Sequence, residues 1–135
     1  MTTGIIPGCI LHWKNHKFDD GGVADKYFVI LGAKAGSNYL AVIATSRQHH
    51  MEFKPGCHHE AGYYHIPGGA KDWFPKDTWL LLFRPIELSA QELLKLAMVE
   101  KQITTEGHLR PAIANAIREC LKLCLDVSPA QKALL

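Results

Sequence analysis

At 135 residues, with 47% hydrophobic and 21% charged positions, the chain has an ordinary globular composition and can bury a core as one domain without disulfides or metal. The formal net charge of +2 is too small to argue for a polyanionic partner by itself, although eight histidines would add positive charge below pH 7. No apolar run reaches the roughly 20 residues of a spanning helix, and Met1-Thr2-Thr3-Gly4 lacks a signal-peptide pattern, so a cytoplasmic chain with no membrane partner is expected. Cys9, Cys57, Cys120 and Cys124 show no Cys-x-x-Cys spacing and read as reduced core thiols.

In chain order, the apolar residues around Pro7-Gly8 predict a first strand from about Gly8 to Trp13, since Pro7 has no N–H for an earlier ladder. The polar stretch from Lys14 to Asp25, with Asp19-Asp20-Gly21-Gly22, reads as a long surface loop and a candidate lid. Two apolar runs follow, Tyr27 to Ala33 and Tyr39 to Ala44, separated by turn residues at Gly36 to Asn38. They predict a central hairpin covered on both faces, because neither run alternates. A histidine-rich loop from Gln48 to Gly62 precedes a short strand, Tyr63 to Ile66, and then a stronger one, Thr78 to Phe83.

From Leu88 the period becomes helical. Ser89-Ala90-Gln91-Glu92 is a capping box opening a helix of about three turns, and Thr104 to Gly107 interrupts it. A longer helix from about Pro111 to Leu125 carries an apolar stripe that includes Ile113, Ile117, Cys120, Leu121 and Cys124. The tail from Ser128 to Leu135 is expected to fray. The fold class that results is α+β: a small, strongly bent antiparallel barrel of about five strands with two helices in the C-terminal half.

Lys26 opens one strand of the hairpin, and Thr45, Ser46 and Arg47 close the other. Antiparallel pairing puts these ends together, so two cations and two hydroxyls would share a rim suited to a phosphate. Such residues are also common solvated strand ends. RNA cleavage by a neighbouring 2'-hydroxyl needs a base, an acid and positive charge on the phosphate, and the rim can supply the last. His49 and His50 follow Arg47 closely and are candidates for proton transfer. With Cys57, His58, His59 and His65 they could also hold zinc, but no spacing preorganises a site and no metal ligand is assigned. Most aromatic residues should be core. Trp73 and Phe74, beside Gly68-Gly69, are the least buried pair and could stack on unpaired bases.

The order of these pieces resembles the MazF/PemK/Kid family of toxin endoribonucleases from type II toxin-antitoxin systems. Gly8-Cys9-Ile10 matches its Gly-x-Ile strand, and Lys26-Tyr27-Phe28-Val29-Ile30-Leu31-Gly32 stands where it has Arg-Pro-x-x-Val-Ile-Ser. Ala41 to Ser46 matches an apolar strand closing in Thr-Ser; Pro75-Lys76-Asp77-Thr78-Trp79 resembles its x-Lys-x-Ser-x strand start, and Gly107-His108-Leu109 its Gly-x-Leu helix start. The resemblance implies one MazF/PemK-like domain over residues 1–135, an SH3-like barrel, a homodimer, and cofactor-free, metal-independent cleavage of single-stranded RNA inhibited by a cognate antitoxin. The family's catalytic arginine falls on Lys26 and its threonine on Thr45.

Lysine at 26, tyrosine in place of the family's proline at 27 and the histidine-rich insertion are departures, and lysine lacks the planar fork that grips a phosphate through two bonds. Lys26 could act alone, Arg47 or a loop histidine could substitute, or cleavage could be lost. The first reading is therefore an endoribonuclease with Lys26, Thr45 and His49 catalytic and Ser46, Arg47, His50 and Trp73 binding substrate. The second is a non-catalytic SH3-like module that holds a protein or nucleic-acid segment, with zinc stabilising the His/Cys loop.

Overall fold

The computed structural model describes residues 5–18, 20–47, 50–69 and 71–135. It has a mixed α+β architecture built on one antiparallel sheet of seven strands in the order β4-β5-β6-β3-β2-β1-β7. The strands are β1 (Cys9–Lys17), β2 (Val23–Gly32), β3 (Tyr39–Thr45), β4 (Gly56–His58), β5 (Tyr63–Ile66), β6 (Thr78–Leu88) and β7 (Ile103–His108). Three α-helices, α1 (Ala90–Leu94), α2 (Pro111–Leu123) and α3 (Pro129–Lys132), accompany them. Among the described residues, the edge strands β4 and β7 do not pair with each other, so the sheet stays open. Among the described residues, no helix is long and apolar enough to cross a membrane.

The central hairpin forms where the apolar runs predict it, and its lack of alternation has the expected cause. Phe28, Val29, Ile30 and Leu31 are all fully buried because each face of the sheet has its own core. On one face Ile10, Val29, Val42 and Leu82 pack with Ile117 and Leu121 of α2. On the other Leu11, Phe28, Ile30 and Leu88 pack with Leu93 of α1 and Ile103 of β7. Each such side chain contributes about 1.5 to 3 kcal/mol by leaving water. The predicted capping box is present: the Glu92 N–H donates to the Ser89 hydroxyl at 3.0 Å, and Glu92 returns the contact to the Ser89 N–H. Pro111 sits in the first turn of α2, where its missing N–H costs nothing. After α1 the chain continues as a π-helical turn, Lys95–Val99, rather than completing an α-helix.

Several expectations are corrected. The polar stretch after Trp13 is not one long loop: β1 runs to Lys17 and β2 begins at Val23, and the Phe18 N–H donates to the Gly22 carbonyl at 2.8 Å where the two strands end. A bulge between Trp13 and His16, with Asn15 at φ 54°, lets this hairpin continue beyond the core, where no apolar pattern is required. Thr104 to Gly107 belongs to edge strand β7. The tail does not fray, since Ser128 and Gln131 form a second capping box and Leu135 is buried. Cys57 and Cys120 form a disulfide that ties β4 to α2, overturning the reading of all four cysteines as reduced thiols; Cys9 and Cys124 remain free and buried.

Candidate functional site

One step beyond the paired residues Tyr27 and Ala44, Lys26 and Thr45 stand at the same end of the sheet. Lys26 pairs with Trp13 on its other side and Thr45 with Trp79, so the rim is flanked by two indole-bearing strands. Strand β3 ends because the Thr45 hydroxyl turns back to accept the Arg47 N–H at 3.2 Å, which leaves Ser46 and Arg47 exposed. Lys26, Tyr27, Thr45, Ser46 and Arg47 together line a cavity of about 450 Å³.

The facing wall is the loop between β5 and β6, which contributes Trp73, Phe74, Pro75 and Lys76, together with Thr78 at the start of β6. The wall is braced from several directions. The Gly68 N–H donates to the Asp77 carboxylate at 2.7 Å, the Gly69 N–H to the Pro75 carbonyl at 3.0 Å, and the Phe74 N–H to the Asp72 carbonyl at 2.9 Å. Gly68 is required for this fold-back, because a Cβ there would meet the Asp77 nitrogen at 2.8 Å. Arg110 Nε donates to the nearly buried Asp72 carboxylate at 2.7 Å, a bond that raises the arginine's pKa above its ordinary value. Phe74 is buried, and half-buried Trp73 adopts φ 74° with its indole edge-on to Tyr27 at 5.3 Å.

Among the described lining residues, Lys26, Arg47 and Lys76 outnumber the one carboxylate, Asp25. Asp25 is held in place by accepting the Asn15 N–H at 2.9 Å. The arrangement is a cationic recess lined also by the hydroxyl-bearing Thr45, Ser46 and Thr78 and by the aromatic Tyr27, Trp73 and Phe74. Such a site can hold an anion of phosphate geometry and, beside it, a flat apolar group.

Of the expected site residues, Lys26, Thr45, Ser46, Arg47 and Trp73 are brought together. His49 lies outside the described residues, as does Gln48. His50 is exposed at φ 62° and does not line the cavity. Lys76, Thr78, Asp25 and Tyr27 are additional lining residues; the stretch Pro75-Lys76-Asp77-Thr78-Trp79, singled out in the sequence, was the available signal for the first two.

The described part of the histidine-rich region has other partners for several of its side chains. Cys57 is committed to its disulfide, His58 Nε2 meets the Lys54 carbonyl at 2.7 Å, and His65 is buried against Trp79. Among the described residues, no three His, Cys, Asp or Glu side chains gather in a way that could hold a metal. Burial lowers the His65 pKa, an effect that the nearby Asp77 carboxylate opposes. Comparison with protein-family models and with curated proteins found no match to this chain.

Proposed function

We propose that the cavity binds the backbone of single-stranded RNA and cleaves it without metal, as a toxin-type endoribonuclease of the MazF/PemK kind. The observation that carries this reading is the convergence of Lys26, Thr45 and Arg47 from the hairpin with Lys76 from the facing loop around one 450 Å³ recess. In this reading Lys26, Arg47 and Lys76 neutralise the charge that builds on the phosphate as the 2'-hydroxyl attacks. Thr45, fixed by its bond from the Arg47 N–H, presents its hydroxyl to a non-bridging oxygen. The 2'-oxygen bonds to phosphorus, the bond to the 5'-oxygen breaks, and a proton passes from the first oxygen to the second. His49 is proposed for that transfer.

An SH3-like bending of the open sheet, a homodimer, a cognate antitoxin that competes for the recess, and a cytoplasmic location belong to the same proposal. The test is incubation of the purified protein with a long single-stranded RNA in the presence of a chelator. Fragments ending in 2',3'-cyclic phosphate support it; intact RNA across a wide pH range, with folded protein, overturns it.

A second reading is a non-catalytic SH3-like module that holds a nucleic-acid or protein segment in the same recess. It is favoured by one observation: among the described residues, no histidine lines the cavity. Tight binding without cleavage would establish it.

A further inference from the structure

Gly107 of β7 is a glycine for the sake of its neighbour. Its backbone is outside the left-handed region, so no conformational need excludes a side chain. A Cβ at this position would lie 2.5 Å from Trp73 Nε1 and 2.9 Å from Cδ1. The indole is a rigid plane rather than the tip of a flexible chain, and it would have to move. Trp73 is in turn held at φ 74°, a conformation bulky residues rarely adopt, by buried Phe74 on one side and the Asp72–Arg110 pair on the other. The fold therefore fixes one indole, in one orientation, at the edge of the cationic recess. Tyr27, 39% exposed, meets it edge-on at 5.3 Å, leaving a two-walled aromatic corner beside Lys26 and Lys76.

We infer that the corner between Tyr27 and Trp73 seats one unpaired nucleobase, and that Gly107 is a positioning residue that sets the shape of this seat through the Trp73 indole. The inference rests on the reading of the recess as a single-stranded RNA site, which it extends from the phosphate to the adjoining base. Aromatic faces beside phosphate-binding cations are the general means of holding a single strand, and a base stacked in this way strengthens binding by about tenfold or more. Gly107 makes no contact with the strand. It acts by leaving room for the ring that does.

The experiment uses the full chain and a short 2'-O-methyl oligoribonucleotide, which binds but lacks the attacking hydroxyl. An abasic chain of the same length is the control. Trp13 and Trp79 are buried, so a base that quenches tryptophan fluorescence reports on Trp73. The oligonucleotide is expected to quench emission and to bind about tenfold more tightly than the abasic chain, which binds without quenching. Gly107→Ala should shift the emission and reduce oligonucleotide affinity to the abasic level, with abasic binding retained and the thermal transition still cooperative, though lowered by the displaced indole. If Gly107→Ala fails to fold, Trp73→Ala carries the test and should produce the same loss of base-dependent affinity. Equal affinity for the two ligands, or wild-type quenching and affinity in Gly107→Ala, overturns the inference. Cleavage of unmodified RNA without base-dependent quenching overturns the inference alone, and base-dependent quenching with RNA left intact overturns the cleavage reading alone.

Discussion

Arg110 and Asp72 are joined by a 2.7 Å bond that anchors the loop carrying Trp73 to the residue preceding α2. The guanidinium is half-exposed but the carboxylate is nearly buried, so the arginine matters chiefly as the partner that satisfies Asp72. Arg110→Ala should loosen the wall and weaken oligonucleotide binding about tenfold. Asp72→Asn, which removes the charge requirement, should cost less. Parallel binding titrations and thermal melts check this, and a larger loss in Asp72→Asn would contradict it.

Lys26 and Thr45 should differ in what can replace them. Removing a donor that stabilises developing charge costs about 10²- to 10³-fold in turnover, and Lys26→Ala is expected in that range. Lys26→Arg should retain activity or raise it, since a guanidinium offers two parallel bonds to phosphate. Thr45→Ser keeps the hydroxyl and should be mild, whereas Thr45→Val removes it and should lose about as much turnover as Lys26→Ala. Single-turnover cleavage rates separate these outcomes from changes in affinity.

The rim was legible in the sequence because it depends only on local features. Tyr27 to Leu31 and Leu40 to Ala44 are continuous apolar runs, and polar residues at their ends must emerge together once the runs pair. The facing wall was not legible as a unit, since Lys76 and Thr78 reach the cavity only after the loop folds back through Gly68 and Asp77. Strand β7 escaped detection because Thr104, Thr105 and Glu106 are exposed on an edge and carry no alternation. The extension of β1 was missed for a related reason: beyond the core a strand needs no apolar residues. The disulfide joins cysteines 63 positions apart, a distance at which spacing is silent and only the packing of α2 on β4 brings the sulfurs together.

That disulfide closes a long loop, and restricting the unfolded chain in this way stabilises a fold by about 2 to 4 kcal/mol. Cys57→Ser, or reduction in millimolar thiol, should lower urea stability by this amount. An unchanged midpoint would show that β4 and α2 hold together without the bond. Thiol labelling of protein taken directly from cells would reveal which state is populated there.

Acidification should destabilise the protein through His65. Burial places its folded-state pKa below the ordinary 6.5, so below that value the unfolded chain binds more protons than the native one. Stability is therefore full above about pH 6.5 and falls as the pH drops through that value toward the lowered folded-state pKa. Melts between pH 7.5 and about pH 5 should show this decline, and His65→Gln should flatten it. An equal decline in the variant would assign the effect to other groups.

The bracing of the loop between β5 and β6 bears on kinetics as well as on affinity. A recess whose walls are already in place demands no slow rearrangement before a strand can enter. Stopped-flow traces should then be single exponentials whose rate rises linearly with oligonucleotide concentration and falls steeply with added salt, the behaviour of an encounter governed by charge.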